Sequence, residues 1–89
     1  DMKAVDEHTS LSVHIVSSEG VIWDGLARSV SSINRGGPFD VLPQHAQFIT
    51  MIADAPFTVQ SISGEAQTFT FHRAVMHVHN NTVVVYVGI

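Results

Sequence analysis

The sequence contains no cysteine, which excludes disulfide bonds and thiolate metal ligands. No apolar run approaches the length of about 18 residues that a membrane-spanning helix needs, and the N-terminus lacks the charged-then-apolar pattern of a signal peptide. Four basic residues and a net charge of −4 are the wrong balance for a phosphate backbone, so we expect no nucleic-acid partner. A soluble, cytoplasmic protein is therefore expected.

Charge of either sign is also scarce. Charged residues make up 13% of the chain, against about 25% in an average soluble domain. Two interpretations remain open: a partner covers part of the surface, or the exterior is neutral and coated with serine and threonine. With 89 residues, 45% of them hydrophobic, the chain has room for one domain and one core.

The hydrophobic pattern alternates as it does in half-buried strands. From Leu11 onwards Leu11, Val13 and Ile15 point one way, and no stretch keeps a helical period over three turns. We predict an all-β fold, a flattened sandwich or barrel of about eight to ten short strands. Residues 1–10 are predicted to be a flexible lead-in, and residues 11–89 the β-sandwich domain. Most aromatic side chains are expected in its core, namely Trp23, Phe39, Phe48, Phe57, Phe69 and Phe71.

Turn signals separate these predicted strands. Asp24-Gly25 is interpreted as a turn, and Asn34–Pro38, with two glycines and a proline, as the strongest loop. Asn80-Asn81 predicts a two-residue turn with left-handed dihedral angles. The final Thr82–Val87 run is typical of a strand that is buried on both faces.

Three blocks of sequence resemble the N-terminal domain of the ATP synthase epsilon subunit, over about Leu11 to Ile89. The first block, LSVHIVSSEGVIWDGL, is similar to the family's opening pair of strands. The second, GPFDVLPQHAQFIT, contains a turn that resembles the family's Pro-Gly-His-Ala turn. The third, TFHRAVMHVHNNTVVVY, resembles its last hairpin. Their joint order and spacing, more than any single block, carry the resemblance.

The sequence departs from the family pattern in three ways. Gln44 stands where the family usually has glycine, so we do not expect this turn to use a positive φ. Arg73-Ala74 replaces the usual paired glycines, and the C-terminal helical hairpin is missing. Asp1 precedes Met2, which suggests an added residue before a native start. If Met2 and Ile89 are the native ends, the short form is native, and the hairpin's inhibitory and ATP-sensing functions do not carry over.

The resemblance implies a central-stalk subunit of a proton-translocating rotary ATP synthase. It would couple the c-subunit ring to the gamma subunit and the catalytic head without catalysis of its own and without a cofactor. The implied partners are gamma, the c ring and, transiently, the catalytic beta subunits. The implied location is cytoplasmic, peripheral on the inner face of the cell membrane as part of the complex.

The resemblance also implies two partner-binding segments. The loop ahead of the Pro-x-His-Ala turn meets the c ring in this family, which here designates Asn34, Arg35, Gly36, Gly37 and Pro38. Arg35 is its obvious charged contact. The turn itself is implied to lie at the junction of gamma and the c ring, and consists of Pro43, Gln44, His45 and Ala46.

The six histidines invite other hypotheses. His77 and His79 share a strand face and could both reach a metal, but a cupin site also needs a glutamate, and no acidic residue follows Glu65. His45 could act as a base, yet no nucleophile motif accompanies it. We expect no metal and no catalytic residue. The alternatives are a stand-alone β-sandwich module for another partner or a carbohydrate and, less favoured, a cupin-like metal-binding protein.

Overall fold

The computed structural model describes residues 10–88, so the predicted lead-in lies outside the described residues except at Ser10. No helix within this range is long and apolar enough to cross a membrane. Six strands make up the described chain: β1 (Leu11–Ser17), β2 (Gly20–Asn34), β3 (Gly37–Val41), β4 (Phe48–Ser61), β5 (Ala66–His79) and β6 (Thr82–Val87).

The strands form one sheet that closes on itself. Their order is β1-β6-β5-β4-β2-β3, and an additional pairing of β1 with β2 completes the closure. β1 and β6 are parallel, and the other pairs are antiparallel. The closed sheet is flattened, with extents of 43 × 28 × 21 Å. The predicted all-β sandwich or barrel is confirmed.

The predicted number of eight to ten short strands is wrong, because three strands are long. β2, β4 and β5 contain 15, 14 and 14 residues, and β2 runs through a position that the sequence indicates as a turn. Asp24-Gly25 lies inside β2, where Asp24 pairs with His14 of β1. Pro56 lies inside β4, opposite Thr70 of β5.

Each long strand changes its buried face once along its length. The changes fall within Ala27–Val30 of β2, Ile52–Ala55 of β4 and Phe71–Ala74 of β5. In each range the first and the last residue are buried, and the two residues between them are not. A strict period of two would put the ends on opposite faces. The strands therefore bend from one layer of the sandwich into the other at these points, which breaks the alternation without ending the strand.

The buried faces of both layers form one core. Phe57 is fully buried and Phe71 nearly so, whereas four aromatic residues that the sequence placed in the core are only half-buried against it: Trp23, Phe39, Phe48 and Phe69. The core consists of Leu11, Val13, Ile15, Ala27, Val30, Val41, Ile52, Ala55, Phe57, Val59, Phe71, Ala74, Met76, Val78, Val83 and Val85.

Two sequence expectations about the last hairpin have different outcomes. Asn80 and Asn81 have φ values of 50° and 59°, which confirms the predicted left-handed two-residue turn. The prediction that β6 is buried on both faces is wrong. Val83 and Val85 are fully buried, but Val84 is half-buried and Tyr86 is exposed, so only one face of β6 meets the core.

Gly25 is explained by its neighbour on the same face of β2. A Cβ atom at Gly25 would lie 2.8 Å from the indole ring of Trp23, which is closer than real contacts allow. The missing side chain therefore lets the indole ring lie along the strand and pack against the core. In the sequence, Asp-Gly resembled a turn, but here the glycine makes space for a tryptophan.

We predict that Gly25→Ala lowers the free energy of unfolding by about 1–3 kcal/mol, because the Trp23 ring must leave its position. Urea unfolding followed by tryptophan fluorescence measures this change. Gly36→Ala is the matched control: its Cβ would meet only Asn34 Oδ1, at 3.4 Å. A loss of stability that is equal in the two variants would contradict this role of Gly25.

Candidate functional site

The first predicted partner-binding segment, Asn34–Pro38, is the tip of the β2–β3 hairpin. Asn34 pairs with Gly37 across the turn, and the Asn34 Oδ1 atom accepts a hydrogen bond from the Gly36 amide at 2.8 Å. The Asn34 Nδ2 atom donates to Thr50 Oγ1 of β4 at 3.0 Å. Arg35 and Gly36 are exposed at the tip. A single asparagine thus shapes the turn and ties it to the next long strand.

The second predicted segment, Pro43–Ala46, lies between β3 and β4. Gln44 has a φ of 72°, so the expectation that this turn avoids a positive φ is wrong. The Gln44 amide donates to Asn81 Oδ1 at 2.6 Å, which holds the turn against the β5–β6 hairpin. A side chain in this conformation costs about 1–2 kcal/mol relative to glycine. The turn therefore keeps the left-handed backbone although it lacks the glycine.

The His45 side chain contacts the first residue of β4. Its ring packs on Phe48 with 4.9 Å between the centroids, and its Nδ1 atom donates to the Ala46 carbonyl oxygen at 2.8 Å. Because Asn34 contacts Thr50 and His45 contacts Phe48, the two predicted segments border the same end of β4. The structure therefore brings them to one region, as neighbours of a common strand.

A larger feature, which sequence reasoning missed, is the outer surface of the layer formed by β4, β5, β6, β1 and the beginning of β2. The register places Met51 opposite Val75, and Val75 opposite Tyr86. Tyr86 is paired with Val16, and Val16 with Val21. This surface, called the outer apolar face below, carries Val16, Val21, Ile49, Met51, Val75, Val84 and Tyr86.

Several apolar side chains of this face are strongly exposed. Ile49 is 67% exposed, Met51 56% and Tyr86 43%. Apolar residues scattered singly over a surface are normal, but a contiguous patch marks an interaction site. The outer apolar face spans five neighbouring strands and therefore has the character of a protein-binding surface.

The polar side chains interspersed on this face are bonded to one another. His14 lies between Asp24 and Ser12: its Nδ1 atom donates to the Asp24 carboxylate, and its Nε2 atom is 3.1 Å from the Ser12 hydroxyl. His79 Nδ1 donates to Gln47 Oε1 at 2.7 Å. Polar groups that already have partners cost less to bury than unpaired ones. The face can therefore be covered by a partner at modest cost.

The order serine, histidine, aspartate invites comparison with a hydrolase triad. Here the three groups lie on adjacent strands of an open surface, and the Ser12 amide already donates to the Asn81 carbonyl oxygen at 2.8 Å. This amide is therefore not available to stabilise an oxyanion. We interpret the three residues as a structural polar network.

The histidine pair that suggested a metal site is also on this face. His77 and His79 stack with their ring centroids 6.0 Å apart. Within residues 10–88 no group of three or more histidine, cysteine, aspartate or glutamate side chains could hold a metal ion. The pair thus has no third ligand of these types among the described residues.

The opposite outer surface has the contrary character. One cross-strand row there runs from Asp40 through Ser31 and Thr58 to Thr68. Ser31 Oγ donates to Asp40 at 2.7 Å, and the hydroxyls of Thr58 and Thr68 are 3.0 Å apart. Short hydroxyl side chains of this kind form an ordinary solvated face. The two outer surfaces therefore correspond to the two interpretations of the low charge content. This surface is coated with neutral hydroxyl groups, and the outer apolar face has the character of a surface that a partner covers.

The sequence did contain a signal for the outer apolar face. Val84 and Tyr86 extend the apolar run of β6 onto its second face, and Ile49 and Met51 do the same for β4. An apolar run indicates either burial on both faces or one buried face and one exposed apolar face. Only the position of β6 in the closed sheet distinguishes these cases.

A closed sandwich with structured end loops and an apolar flank defines a scaffold for protein contacts. The chain belongs to the family of the ATP synthase Delta/Epsilon chain β-sandwich domain, whose family model matches residues 10–88. The resemblance inferred from the three sequence blocks is thereby confirmed.

Individual relatives agree with this assignment. The ATP synthase epsilon chain of Micrococcus luteus is 32% identical over 75 residues, which cover 84% of this chain and 82% of that protein. The epsilon chain of Hydrogenovibrio crunogenus is 32% identical over 77 residues, but these cover 85% of this chain and only 52% of that protein. The chain therefore spans about half the length of some relatives and most of another.

Solved structures share the fold at low sequence identity. A chain of the Euglena gracilis mitochondrial ATP synthase superposes with a TM-score of 0.83 at 12% identity, over 98% of this chain and 56% of that one. A chain of the Tetrahymena thermophila central stalk and c ring gives 0.69 at 12% identity, over 86% and 62%. At these identities the likeness concerns the fold alone.

The left-handed Gln44 gives a stability prediction. Gln44→Gly should be more stable than Gln44→Ala by about 1 kcal/mol, because both remove the side chain but only glycine relieves the strain of a positive φ. Ala46 is the control, since its φ is not positive. There, replacing alanine by glycine should instead destabilise by about 0.4–1 kcal/mol. Chemical denaturation measures both; the same sign at the two positions would contradict the assigned conformation.

Proposed function

We propose that the chain is a non-catalytic central-stalk subunit of a proton-translocating rotary ATP synthase, which couples the c-subunit ring to the gamma subunit and the catalytic head. The observation that carries this proposal is the two-faced sandwich. One outer surface is solvated and the other is apolar, while two structured loops border the same end of one strand. Membership of the Delta/Epsilon chain family supports gamma and the c ring as the proposed partners.

The outer apolar face is the surface that we assign to gamma. It exposes Ile49, Met51 and Tyr86, which would be covered in a permanent interface. Its interspersed polar groups are already hydrogen-bonded, as in the pairs His14–Asp24 and Gln47–His79. A partner that covers this face would therefore remove apolar surface from water without leaving these polar groups buried and unpaired.

The two loops are assigned to the junction with the rotor ring. Asn34–Pro38 would meet the c ring, and Pro43–Ala46 would lie where gamma and the ring come together. β4 connects these surfaces, because Thr50 is hydrogen-bonded to Asn34 while Ile49 and Met51 beside it face outward. A load on the loop thus reaches the gamma-binding face through one strand of a closed sheet.

Closure of the sheet suits a part that transmits torque. β4 and β5 are paired from Phe48↔Val78 to Gln60↔Ala66, and the pairing of β1 with β2 closes the sheet. A closed ladder resists shear because many backbone hydrogen bonds must break together. In the assembled enzyme the subunit would be peripheral on the cytoplasmic face of the membrane, with transient contacts to the catalytic beta subunits.

Recovery of the native complex tests the proposal directly. A tagged chain expressed in its own cells and purified from gently solubilised membranes should bring the gamma and c subunits with it in a fixed ratio. Soluble protein from the same lysate is the control. Recovery of the tagged chain without either subunit would refute a role in the stalk and favour a stand-alone binding module.

The assignment of the gamma-binding face has a matched test. Ile49→Glu should reduce recovery of gamma about tenfold or more, because a buried charge without a partner is strongly unfavourable in an interface. Thr70→Glu introduces the same side chain on the solvated face and should leave recovery unchanged. Both positions are exposed, so we expect stability changes within about 0.5 kcal/mol. Equal loss of gamma in the two variants would disprove this assignment.

A further inference from the structure

Three histidines lie among the apolar side chains of the outer apolar face. A cross-strand row of this face consists of Asp24, His14, Val84, His77 and Ile49, in that order. His79 follows His77 on the same side of β5, and their rings stack with 6.0 Å between the centroids. Histidine is the side chain that ordinarily gains a positive charge between about pH 8 and pH 5. The charge of this face therefore changes with pH while its apolar residues stay as they are.

The hydrogen bonds of His79 fit the neutral ring. Its Nδ1 atom donates to Gln47 Oε1 at 2.7 Å, and its Nε2 atom accepts from Asn80 Nδ2 at 3.1 Å. A neutral imidazole has one donor and one acceptor, as these two bonds require, whereas a protonated ring has two donors. Protonation of Nε2 would therefore turn its N–H group towards the donating amide group of Asn80 and remove that bond.

His77 has apolar cross-strand neighbours and a second histidine beside it. Ile49 lies opposite it on β4 and Val84 on β6, and the His79 ring is stacked on its own ring. Under a partner, a charge on His77 would lie in an apolar contact, where an unpaired charge is strongly unfavourable. A second charge on His79 would add repulsion at short range. A covered face therefore favours the uncharged form of both rings.

His14 on the same face behaves differently, because it has a carboxylate partner. Its Nδ1 atom donates to the Asp24 carboxylate, and its Nε2 atom is 3.1 Å from the Ser12 hydroxyl. When His14 is charged, it forms an ion pair with Asp24, so that the two side chains together carry no net charge. Protonation of His14 therefore adds no unpaired cation to the face, unlike protonation of His77 or His79.

The other titratable groups around the two stacked histidines do not compensate their charge. Tyr86 of β6 carries a phenol, which is neutral in this pH range. Arg73 precedes Val75 by two residues on β5 and is a cation itself. The side chains of β4 that face the pair are apolar, as at Ile49 and Met51. Among residues 10–88, the strands on either side of the pair thus supply no carboxylate to it.

We propose that the outer apolar face is a proton-sensitive interface, in which protonation of His77 and His79 weakens the binding of gamma. Gamma would bind the form with neutral rings. Its affinity is therefore highest above the pH range in which histidine titrates, and it falls as the pH drops through that range. This inference rests on the proposed function for the identity of the partner, and it adds a condition under which the partner is released.

Retention of gamma at two pH values tests the inference on the native complex. The tagged chain is recovered with gamma from solubilised membranes, and equal samples are washed at about pH 7.5 and about pH 5.5, on either side of the usual histidine range. The readout is the ratio of gamma retained at the two values, taken within each variant. Wild-type chain should retain about tenfold less gamma, or lower still, at the acidic value, because binding then requires the loss of protons from buried cations.

Matched variants separate the stacked histidines from the other titratable groups. The double variant His77→Gln and His79→Gln should bring the ratio to within about twofold of unity, since neither glutamine can be protonated. His72→Gln is the control: His72 is bonded to Asp54 at 2.8 Å, outside the outer apolar face, and its loss should leave the wild-type ratio. Asp24→Asn should make the pH dependence steeper, because His14 is then charged without a carboxylate partner.

Four results would overturn the inference: a wild-type ratio near unity, an unchanged ratio in the double histidine variant, a ratio altered as much by His72→Gln, or unfolding of the free chain at the acidic value by circular dichroism. In each of these cases gamma is still recovered at neutral pH, so the proposed function stands. If wild-type chain brings no gamma at neutral pH, the proposed function and this inference fail together.

Discussion

The architecture depends on one constraint: β4 and β5, which bend together from one layer into the other, must change their buried face at the same level. β4 and β5 are in uniform register, so the change within Ile52–Ala55 has to coincide with that within Phe71–Ala74. Asp54 accommodates the bend with a left-handed φ of 51° and bonds to His72 opposite it. β2 changes its buried face separately, within Ala27–Val30, which lies opposite Val59–Ser61 of β4 where the register of the two strands shifts. Closure of the sheet follows from these bends.

The bends also separate two outer surfaces that share the same strands. The first half of β4 contributes Ile49 and Met51 to the apolar surface, and its second half contributes Thr58 to the solvated one. The low charge content of the chain therefore has two origins. One surface is coated with neutral hydroxyl groups, as in the row containing Ser31, and the other has the apolar composition of an interface.

The coupling role that we propose needs binding surfaces with a stiff connection between them, and the contacts of β4 would provide one. Thr50 reaches the Asn34 side chain, Phe48 reaches His45, and Ile49 between them faces outward. Three candidate contact regions are thus spaced along consecutive residues of one paired strand. The polar network around His14 is compatible with the same role, because its members are hydrogen-bonded to one another.

Local sequence was sufficient for the strand class, the Asn80-Asn81 turn, the buried side of β1 and the family, because each depends on neighbouring residues or on a pattern along the chain. It misled at Asp24-Gly25 and Gln44. A glycine that clears space for Trp23 resembles a turn glycine, and contacts such as the one from Asn81 to the Gln44 amide can hold a strained φ. The outer apolar face was decided only by tertiary structure. Whether Val84 and Met51 face a core, a partner or solvent depends on which strands lie beside them, and that pairing joins residues far apart in the chain.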